Sequence, residues 1–450
     1  MKTKTKAGLA LRPLKLPPRT VTTLPNGLKV TVVKRGPLPL VAVRFITRAG
    51  SAFDAPGRFG LAELTARLLR RGAGGLTAEQ LNEEVDYVGA SLSAWAGEDS
   101  FGAGLTTPSA HFDAMLGMVA RILRTPDFPE AEVALARRRT LAQLSNALDD
   151  PDDVADRAIV SALFGAHPYG HETIGLKSHV EAITRDDLVR YHRERVVPKG
   201  AHLFVVGDLD PKVALDSVER AFGDWQGANE AAVSLPEWTK PARAGEVVVV
   251  DKPEQTQVQV RISSRGVYRG HADHFPLTVM NCVLGGSFTS RLMQEIRVKR
   301  GLTYGAGSHF DQLAIAGTFN VSSFTKTETV GELVDVALGE VAKMRAKGPK
   351  PPELASAQRY ISGLYPGRLE TNESIAAAMA DMALYGLPDD WVDQYRERVV
   401  AVTPEVAAEA AARHLPDGER VIVLVGNAAQ LEKTAAKYGT VSVLPAAQLE

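Results

Sequence analysis

Patterns typical of strands and of helices alternate along the first half of this chain. The β-branched runs at residues 28–33 and 41–46 predict two strands, and residues 92–95 and 101–106 alternate as two further strands would. Between these pairs lies a stripe with a 3.6-residue period that predicts a helix; it consists of Leu61, Leu64, Leu68 and Leu69. A second helical stripe begins after Pro129 and ends before Asp149-Asp150-Pro151; its members are Val133, Ala136, Leu141, Leu144 and Leu148. Strands with helices grouped between them predict an α+β fold, in which helices pack on a mixed, largely antiparallel sheet.

The second half of the chain repeats this pattern. Gly207 follows Thr184 after a helical stretch, and Gly426 follows Thr403 in the same way, so both landmarks recur after 219 residues. Strand-like runs at 247–250 and 257–263 correspond to the two runs near the start, at an offset near 217. Duplication of one unit is the simplest explanation, and we therefore predict two homologous α/β sandwich domains.

Glycine and proline residues locate the join between the two units. Residues 223–245 contain Gly and Pro at several positions and show no sustained period, as is typical of a linker. We therefore predict a basic N-terminal arm over residues 1–20, a first domain over 21–222, a linker over 223–245 and a second domain over 246–450.

Composition excludes several kinds of function. A net charge of −1 gives no support for nucleic-acid binding, and no apolar run approaches the roughly 18 residues of a membrane span. The single cysteine, Cys282, excludes an internal disulfide and a cysteine metal cluster. We expect a protein with no nucleic-acid partner and no membrane span, located in the cytoplasm. Loss of a short leader from the basic N-terminus would place it in the periplasm instead.

Two segments carry a resemblance to a known family. Residues 58–72 read Arg-Phe-Gly-Leu-Ala-Glu-Leu-Thr-Ala-Arg-Leu-Leu-Arg-Arg-Gly. Their frame is similar to that of the pitrilysin/insulinase-like zinc peptidases, which carry H-x-x-E-H on a helix. Residues 285–305 include Ser-Arg-Leu-Met-Gln-Glu-Ile-Arg-Val-Lys-Arg-Gly-Leu-Thr-Tyr, which resembles an SRL-x-QEIR-x-KRGL-x-Y segment in the C-terminal domain of the same family. The resemblance extends over essentially the whole chain.

The zinc motif of that family has lost its ligands in this chain. The two histidine positions are Glu63 and Arg67, the glutamate base position is Ala66, and the third ligand position is Gln143. Arginine is always protonated and has no lone pair to offer a metal, so we expect no metal at these positions. Glu63 and Arg67 are spaced for an ion pair on one helix face, and Gln143 is placed to hydrogen-bond into the same spot from the second helix.

The resemblance also implies a substrate-side pair that this chain keeps. In the family, an arginine and a tyrosine seven residues further on point across a cavity at the substrate bound to zinc; these positions are Arg297 and Tyr304. In two-chain members, bacterial ones and mitochondrial processing peptidase among them, one subunit has the zinc motif and the other supplies this pair. The resemblance thus implies a zinc-free subunit with no cofactor of its own, which assists a zinc-bearing paralogue in hydrolysing peptides or unfolded proteins.

A further family feature is an edge strand that binds extended peptide by β-addition. The matching residues here are Ser91, Leu92, Ser93 and Ala94. The family usually has Asn-Ala-x-Thr where this chain has Ser93-Ala94-Trp95-Ala96, which leaves Trp95 as either a core residue or part of a peptide-binding strand.

Other chemistry in the sequence is weaker. His271 and His274 have ligand-like spacing but lie in a polar stretch that predicts a surface turn, and His167 and His171 resemble a structural segment of the family. The chain contains no G-x-S-x-G elbow, no Walker A loop and no G-x-G-x-x-G loop after a strand. Three alternatives to the zinc-free catalytic partner stay open: a scaffolding subunit, a peptide-binding homodimer, and a hydrolase with a different active site.

Overall fold

The computed structural model describes residues 13–227 and 234–449. Residues 1–12 of the predicted arm and residues 228–233 of the predicted linker lie outside the described part. The strands and helices of the first half are β1 (Arg19–Thr23), β2 (Lys29–Lys34), β3 (Leu40–Thr47), α1 (Leu61–Leu68), β4 (Gly72–Ala73), β5 (Leu76–Thr77), α2 (Ala78–Tyr87), β6 (Ser91–Ala96), β7 (Phe101–Pro108), α3 (Phe112–Arg124), α4 (Glu130–Ala147), α5 (Pro151–Phe164), α6 (Lys177–Ala182), α7 (Arg185–Arg195), β8 (His202–Gly207) and α8 (Pro211–Phe222).

The second half follows the same plan. Its strands and helices are β9 (Glu246–Asp251), β10 (Gln257–Arg265), α9 (His274–Leu284), β11 (Ala306–Gln312), β12 (Gly317–Lys326), α10 (Val330–Lys347), α11 (Pro351–Leu364), α12 (Asn372–Leu384), α13 (Tyr395–Val400), α14 (Pro404–His414), β13 (Arg420–Gly426), α15 (Ala428–Ala435) and β14 (Thr440–Pro445). A π-helical segment, Met293–Val298, lies between α9 and β11. None of the helices in the described ranges is both long and apolar enough to cross a membrane.

Each half contains one six-stranded sheet, and the two sheets share the order of five strands. The first sheet runs β1-β2-β8-β3-β7-β6 and the second β14-β9-β13-β10-β12-β11. Both sheets contain a matching parallel pair (β2 with β8, β9 with β13), and the next strand in each sheet (β3 beside β8, β10 beside β13) is antiparallel to it. The sheets differ at one edge, because β1 is antiparallel to β2 whereas β14 is parallel to β9. The predicted α+β fold with mixed, largely antiparallel sheets is confirmed.

Consecutive strand residues face two different buried surfaces. Val247 and Val249 belong to the large core of the second half, whereas Val248 and Val250 belong to the cluster that contains α5. Burial on both faces explains why these strands consist of unbroken β-branched runs rather than alternating polar and apolar residues.

Each sheet packs on one face against helices of its own half. On its other face it is covered by one helix from the other half. Helix α5 of the first half packs on β10 and β13, and α12 of the second half packs on β3 and β8. Arg261 of β10 holds α5 in place, because its guanidinium lies 2.6 Å from a carboxylate oxygen of Asp152 and 2.6 Å from one of Asp156. The two halves are thus joined by exchanged helices as well as by the chain that connects them.

Candidate functional site

A buried carboxylate fixes the start of α1, the helix that carries the altered zinc motif. Asp54 accepts hydrogen bonds from the backbone N–H groups of Gly60, Leu61 and Ala62 at 2.7, 3.1 and 2.9 Å. These are three of the N–H groups that a helix N-terminus leaves unsatisfied. Burial raises the pKa of Asp54 to about 7, against the effect of these three hydrogen bonds. Gly60 has φ +99°, and a Cβ there would lie 2.6 Å from the carbonyl oxygen of Ile174, so the turn into α1 requires glycine.

The three former ligand positions meet around one guanidinium. Arg67 Nε donates to Glu63 Oε1 at 2.6 Å, and both Nη atoms of Arg67 lie 3.1 Å from Gln143 Oε1 on α4. Arg67 Nη1 also lies 3.5 Å from Thr140 Oγ1. The guanidinium therefore occupies the space between the positions where the family places its metal ligands.

This set of residues does not fit a zinc ion. Zinc sites use histidine, cysteine or carboxylate donors, and Arg67 offers only N–H groups, with its charge already directed at the other two positions. Ala66, at the position of the general base, is 1% exposed and has no titratable group. These positions therefore cannot hold a metal that would activate a water molecule.

The predicted peptide-binding strand lies at a sheet edge. Within the described residues β6 pairs only with β7, with Ser93 opposite Gly104. Leu92 is buried in the core of the first half, while Ser91 and Ser93 are exposed on the other face. The structure therefore places the four predicted residues on a strand whose outer backbone edge has no partner strand in the described chain.

Trp95 lies on the same face of β6 as Ser93 and outside the core clusters. Its ring lies over Gly102, where a Cβ would come within 2.3 Å of Trp95 Cζ2, and the guanidinium of Arg44 lies 4.1 Å from the ring centroid. A half-buried tryptophan stacked on arginine covers part of the sheet surface next to the edge. The sequence left Trp95 as either a core residue or part of the peptide-binding strand, and its position does not support a core residue.

The retained pair from the second half points to solvent. Tyr304 is 78% exposed, and the Arg297 guanidinium lies 4.9 Å from the ring centroid of Phe288, which is also exposed. In the part of the chain that the structure describes, the Arg297 side chain has no hydrogen bond and no ion pair. The loop that carries Tyr304 is nevertheless anchored, because Ser323 and Thr325 of β12 donate to the carbonyl oxygens of Gly305 and Leu302 at 2.9 and 2.7 Å.

The two histidines with ligand-like spacing separate in the fold. The prediction of a surface turn is wrong for His274, which is 8% exposed and packs against Trp391 and Phe275. Burial lowers the pKa of His274 to about 4, and the nearby Arg269 acts in the same direction. His271 instead lies near Asp273 and near a histidine at the end of α14, which the sequence analysis did not identify.

That missed residue is His414, whose Nε2 lies 2.7 Å from Asp273 Oδ2. Ligand atoms of His271, Asp273 and His414 lie within 4.8 Å of one another. The carboxylate of Asp273 is also held by Arg413 at 3.2 Å. This network links α9 to α14. About 140 residues separate its two sides, and no spacing rule connects positions so far apart.

His167 and His171 have contacts of a structural kind. His167 Nε2 lies 2.8 Å from the carbonyl oxygen of Pro236, and the ring of His171 stacks on Phe59 at 3.9 Å. Burial lowers the pKa of His171.

Fold and site together define a class of protein: a duplicated, peptidase-like α/β chain whose zinc motif retains its frame without its ligands. Two family models match the chain, insulinase (peptidase family M16) over residues 29–177 and peptidase M16 inactive domain over residues 182–361. These matches together cover well over half of the chain, which belongs to the M16 peptidase family as a non-catalytic, pitrilysin/insulinase-like member.

Individual relatives agree with this assignment. The chain is 24% identical over 341 residues to an uncharacterised zinc protease of Rickettsia bellii, covering 76% of this chain and 81% of that protein. It is 26% identical over 342 residues to an uncharacterised zinc protease of Mycobacterium leprae, covering 76% and 77%. Among solved structures, a peptidase M16 inactive domain from Pseudomonas fluorescens superimposes with a TM-score of 0.86 at 26% identity, over 91% of this chain and 98% of that one. A protease from Helicobacter pylori, with a TM-score of 0.84 at 21% identity over 91% and 100% of the two chains, supports the fold.

Proposed function

We propose that this chain is the zinc-free subunit of a heterodimeric metallopeptidase and that its partner is a zinc-bearing paralogue. Arg297 and Tyr304 contribute to binding the substrate and stabilising the transition state at the partner's zinc. The substrates are peptides or unfolded proteins. The partner supplies the zinc, the activated water and the general base, none of which the first half of this chain can provide.

The observation that carries the proposal is the contrast between Arg297 and its basic neighbours. Arg291 is paired with Glu353 at 2.6 Å, and Arg300 is paired with Glu295 at 2.8 Å. Lys299 is also paired with Glu295. Arg297 alone among these four has no carboxylate partner in the described chain, although a half-buried guanidinium is usually paired. Such a group is available to a carbonyl or carboxylate of a molecule outside this chain.

The arrangement around Tyr304 supports the same role. An exposed phenol ring is a large apolar surface in water, and its loop is fixed to β12 by two hydroxyl hydrogen bonds. A donor held in place before the substrate arrives costs little reorganisation during the reaction. Tyr304 could therefore donate to the oxyanion of a tetrahedral intermediate that forms at a partner's metal.

The experiment is co-expression with a zinc-bearing paralogue, followed by peptide-cleavage assays on the purified pair. We expect R297A and Y304F each to lower kcat by about 10²- to 10³-fold, the usual effect of removing one preorganised oxyanion donor. Zinc content and assembly of the pair should stay unchanged. R193A and Y87F are matched controls, because both side chains are highly exposed and lie in the first half; they should cleave like the unmodified pair.

The outcome separates the proposal from its alternatives. Unchanged cleavage in R297A and Y304F would refute the catalytic role of the pair. A stable pair with no turnover at all would indicate a scaffolding subunit. A purified chain that forms only homodimers and binds peptide without cutting it would indicate a peptide-binding homodimer.

A further inference from the structure

A cavity of about 300 Å³ lies beside the altered zinc motif, and its charged lining is mostly arginine. Arg67, Arg70 and Arg71 reach it from α1 and the residues that follow, and Arg139 reaches it from α4. The only acidic residue in the lining is Glu132. Among the described residues, four arginines and one acidic residue therefore line the cavity.

Few of these charges are neutralised by the protein. Arg67 is paired with Glu63. Arg70 donates to the neutral amide oxygen of Asn82 at 2.9 Å, and over the described residues Arg71 and Arg139 have no side-chain hydrogen bond or ion pair. Burial, with a contribution from the adjacent charge of Arg71, lowers the pKa of Arg70. Asp86 acts in the opposite direction, but the effects of burial and of Arg71 outweigh it.

Such a cavity has the properties of an anion receptor. Guanidinium groups bind carboxylates through two parallel N–H···O bonds, and they are less strongly hydrated than ammonium groups. Attraction between opposite charges is stronger in a partly buried cavity than in bulk water, because the effective dielectric constant is lower. The cavity is too small for a folded partner and has the size of a short chemical group.

The position of the cavity indicates which molecule would bring the anion. Ser93 and Ala94 of β6 form part of its lining, and β6 has an unpaired backbone edge. A peptide added to this edge as an extra strand would run past the cavity mouth.

We propose that this arginine-lined cavity, next to the altered zinc motif, binds a carboxylate of a peptide that lies along β6. Its arginine side chains supply positive charge beside the former metal position, so that the site binds an anionic peptide group without cutting the chain. The carboxylate is either the C-terminus of the peptide or an aspartate or glutamate side chain. The inference rests on the proposed function only in taking a peptide as the ligand, and it requires neither a partner nor zinc.

The test uses the isolated full-length chain and three fluorescent decapeptides of one sequence, with binding measured by fluorescence anisotropy. The first peptide has a free C-terminus, the second is amidated, and the third is amidated and carries one internal glutamate. We expect a carboxylate-bearing peptide to bind about tenfold more tightly than the neutral amide, the effect of one or two charge-assisted hydrogen bonds. Comparison of the first and third peptides identifies the source of the carboxylate.

Substitutions locate the effect. R70Q and the double variant R71Q/R139Q should remove the preference for the carboxylate, while R193Q, on an exposed arginine that does not line the cavity, should keep it. Equal binding of all three peptides by the unmodified chain would overturn the proposal, and this comparison does not depend on the variants folding. A carboxylate preference that persists in folded R70Q and R71Q/R139Q would also overturn it. Neither result bears on cleavage by the pair, which depends on Arg297 and Tyr304.

Discussion

Restoring the lost ligands should restore zinc binding to the first half. The triple variant E63H/R67H/Q143E replaces the ion pair and the amide with two imidazoles and a carboxylate. The positions already converge, since Arg67 Nε lies 2.6 Å from Glu63 and its Nη atoms lie 3.1 Å from Gln143. Ligand atoms around a tetrahedral zinc with bonds of about 2.0–2.1 Å are about 3.3 Å apart. The three side chains already meet where α1 packs on α4, so we expect the three substituted side chains to reach a common metal ion.

The expected stabilisation follows from mass action. A ligand at 100 times its Kd stabilises the folded state by about 2.7 kcal/mol. Because the two halves share exchanged helices, we treat the 450-residue chain as one cooperative unit. At about 2.1 cal/mol/K of unfolding entropy per residue, 1 kcal/mol then shifts Tm by about 1 °C, so zinc should raise Tm by about 3 °C. A66E is left out of this variant, because enlarging a side chain in a packed core commonly costs about 1–3 kcal/mol and Ala66 is 1% exposed.

The assay combines elemental analysis after gel filtration with thermal unfolding in zinc and in EDTA. We expect about one zinc per triple variant and a zinc-dependent Tm, with a weaker effect in the double variant E63H/R67H, which lacks the third ligand. The unmodified chain is the control for zinc held elsewhere. A folded triple variant that takes up no more zinc than the unmodified chain would refute the alignment of positions 63, 67 and 143 with a metal site.

Three further predictions concern stability. D54A should lower the free energy of unfolding by about 2–4 kcal/mol in urea denaturation, because three buried N–H groups lose their acceptor; a change below about 0.5 kcal/mol would contradict this account of the start of α1. His274 has a folded pKa of about 4 against 6.5 when unfolded, so the unfolded chain binds the proton more tightly, and the free energy of unfolding should fall by up to about 3 kcal/mol as pH drops from about 6.5 to about 4. H274Q should flatten the pH dependence of stability over this range. An equal slope in H274Q and the unmodified protein would refute the lowered pKa of His274. R261M should lower the free energy of unfolding by about 2 kcal/mol, less than the loss of a fully buried ion pair, because Asp152 and Asp156 are half exposed. R261K keeps the charge but not the planar guanidinium, so it should recover only part of this loss. A neutral effect of R261M would show that α5 is held by apolar contacts alone.

Much of the fold could be predicted from local periodicity. The repeated strand runs and the glycines at 207 and 426 reveal the duplication, because strand ends in the two halves need the same local features. The exchange of α5 and α12 could not be predicted in this way. An amphipathic stripe shows that a helix has a buried face, and it contains no information about which of two similar sheets that face will cover.

The candidate site likewise has one part that the sequence predicts and another part that depends on how the helices pack. Positions 63 and 67 are one helical turn apart, and the family frame aligned Gln143 with them, so their meeting could be anticipated. The arginine cavity draws on Arg70, Arg71 and Arg139, whose convergence depends on how α1 and α4 pack. Nothing in the sequence distinguishes these three from the many other arginines of the chain.

The exchanged helices have a consequence for synthesis. The first sheet emerges from the ribosome with one apolar surface, including Phe204 and Val206, uncovered. Its cover is α12, which ends at Leu384, so 177 further residues must be translated after β8 ends at Gly207 before that surface is covered. We therefore expect the nascent first half to expose this apolar surface during the interval, and a fragment that ends near the join to aggregate rather than to form a small stable protein.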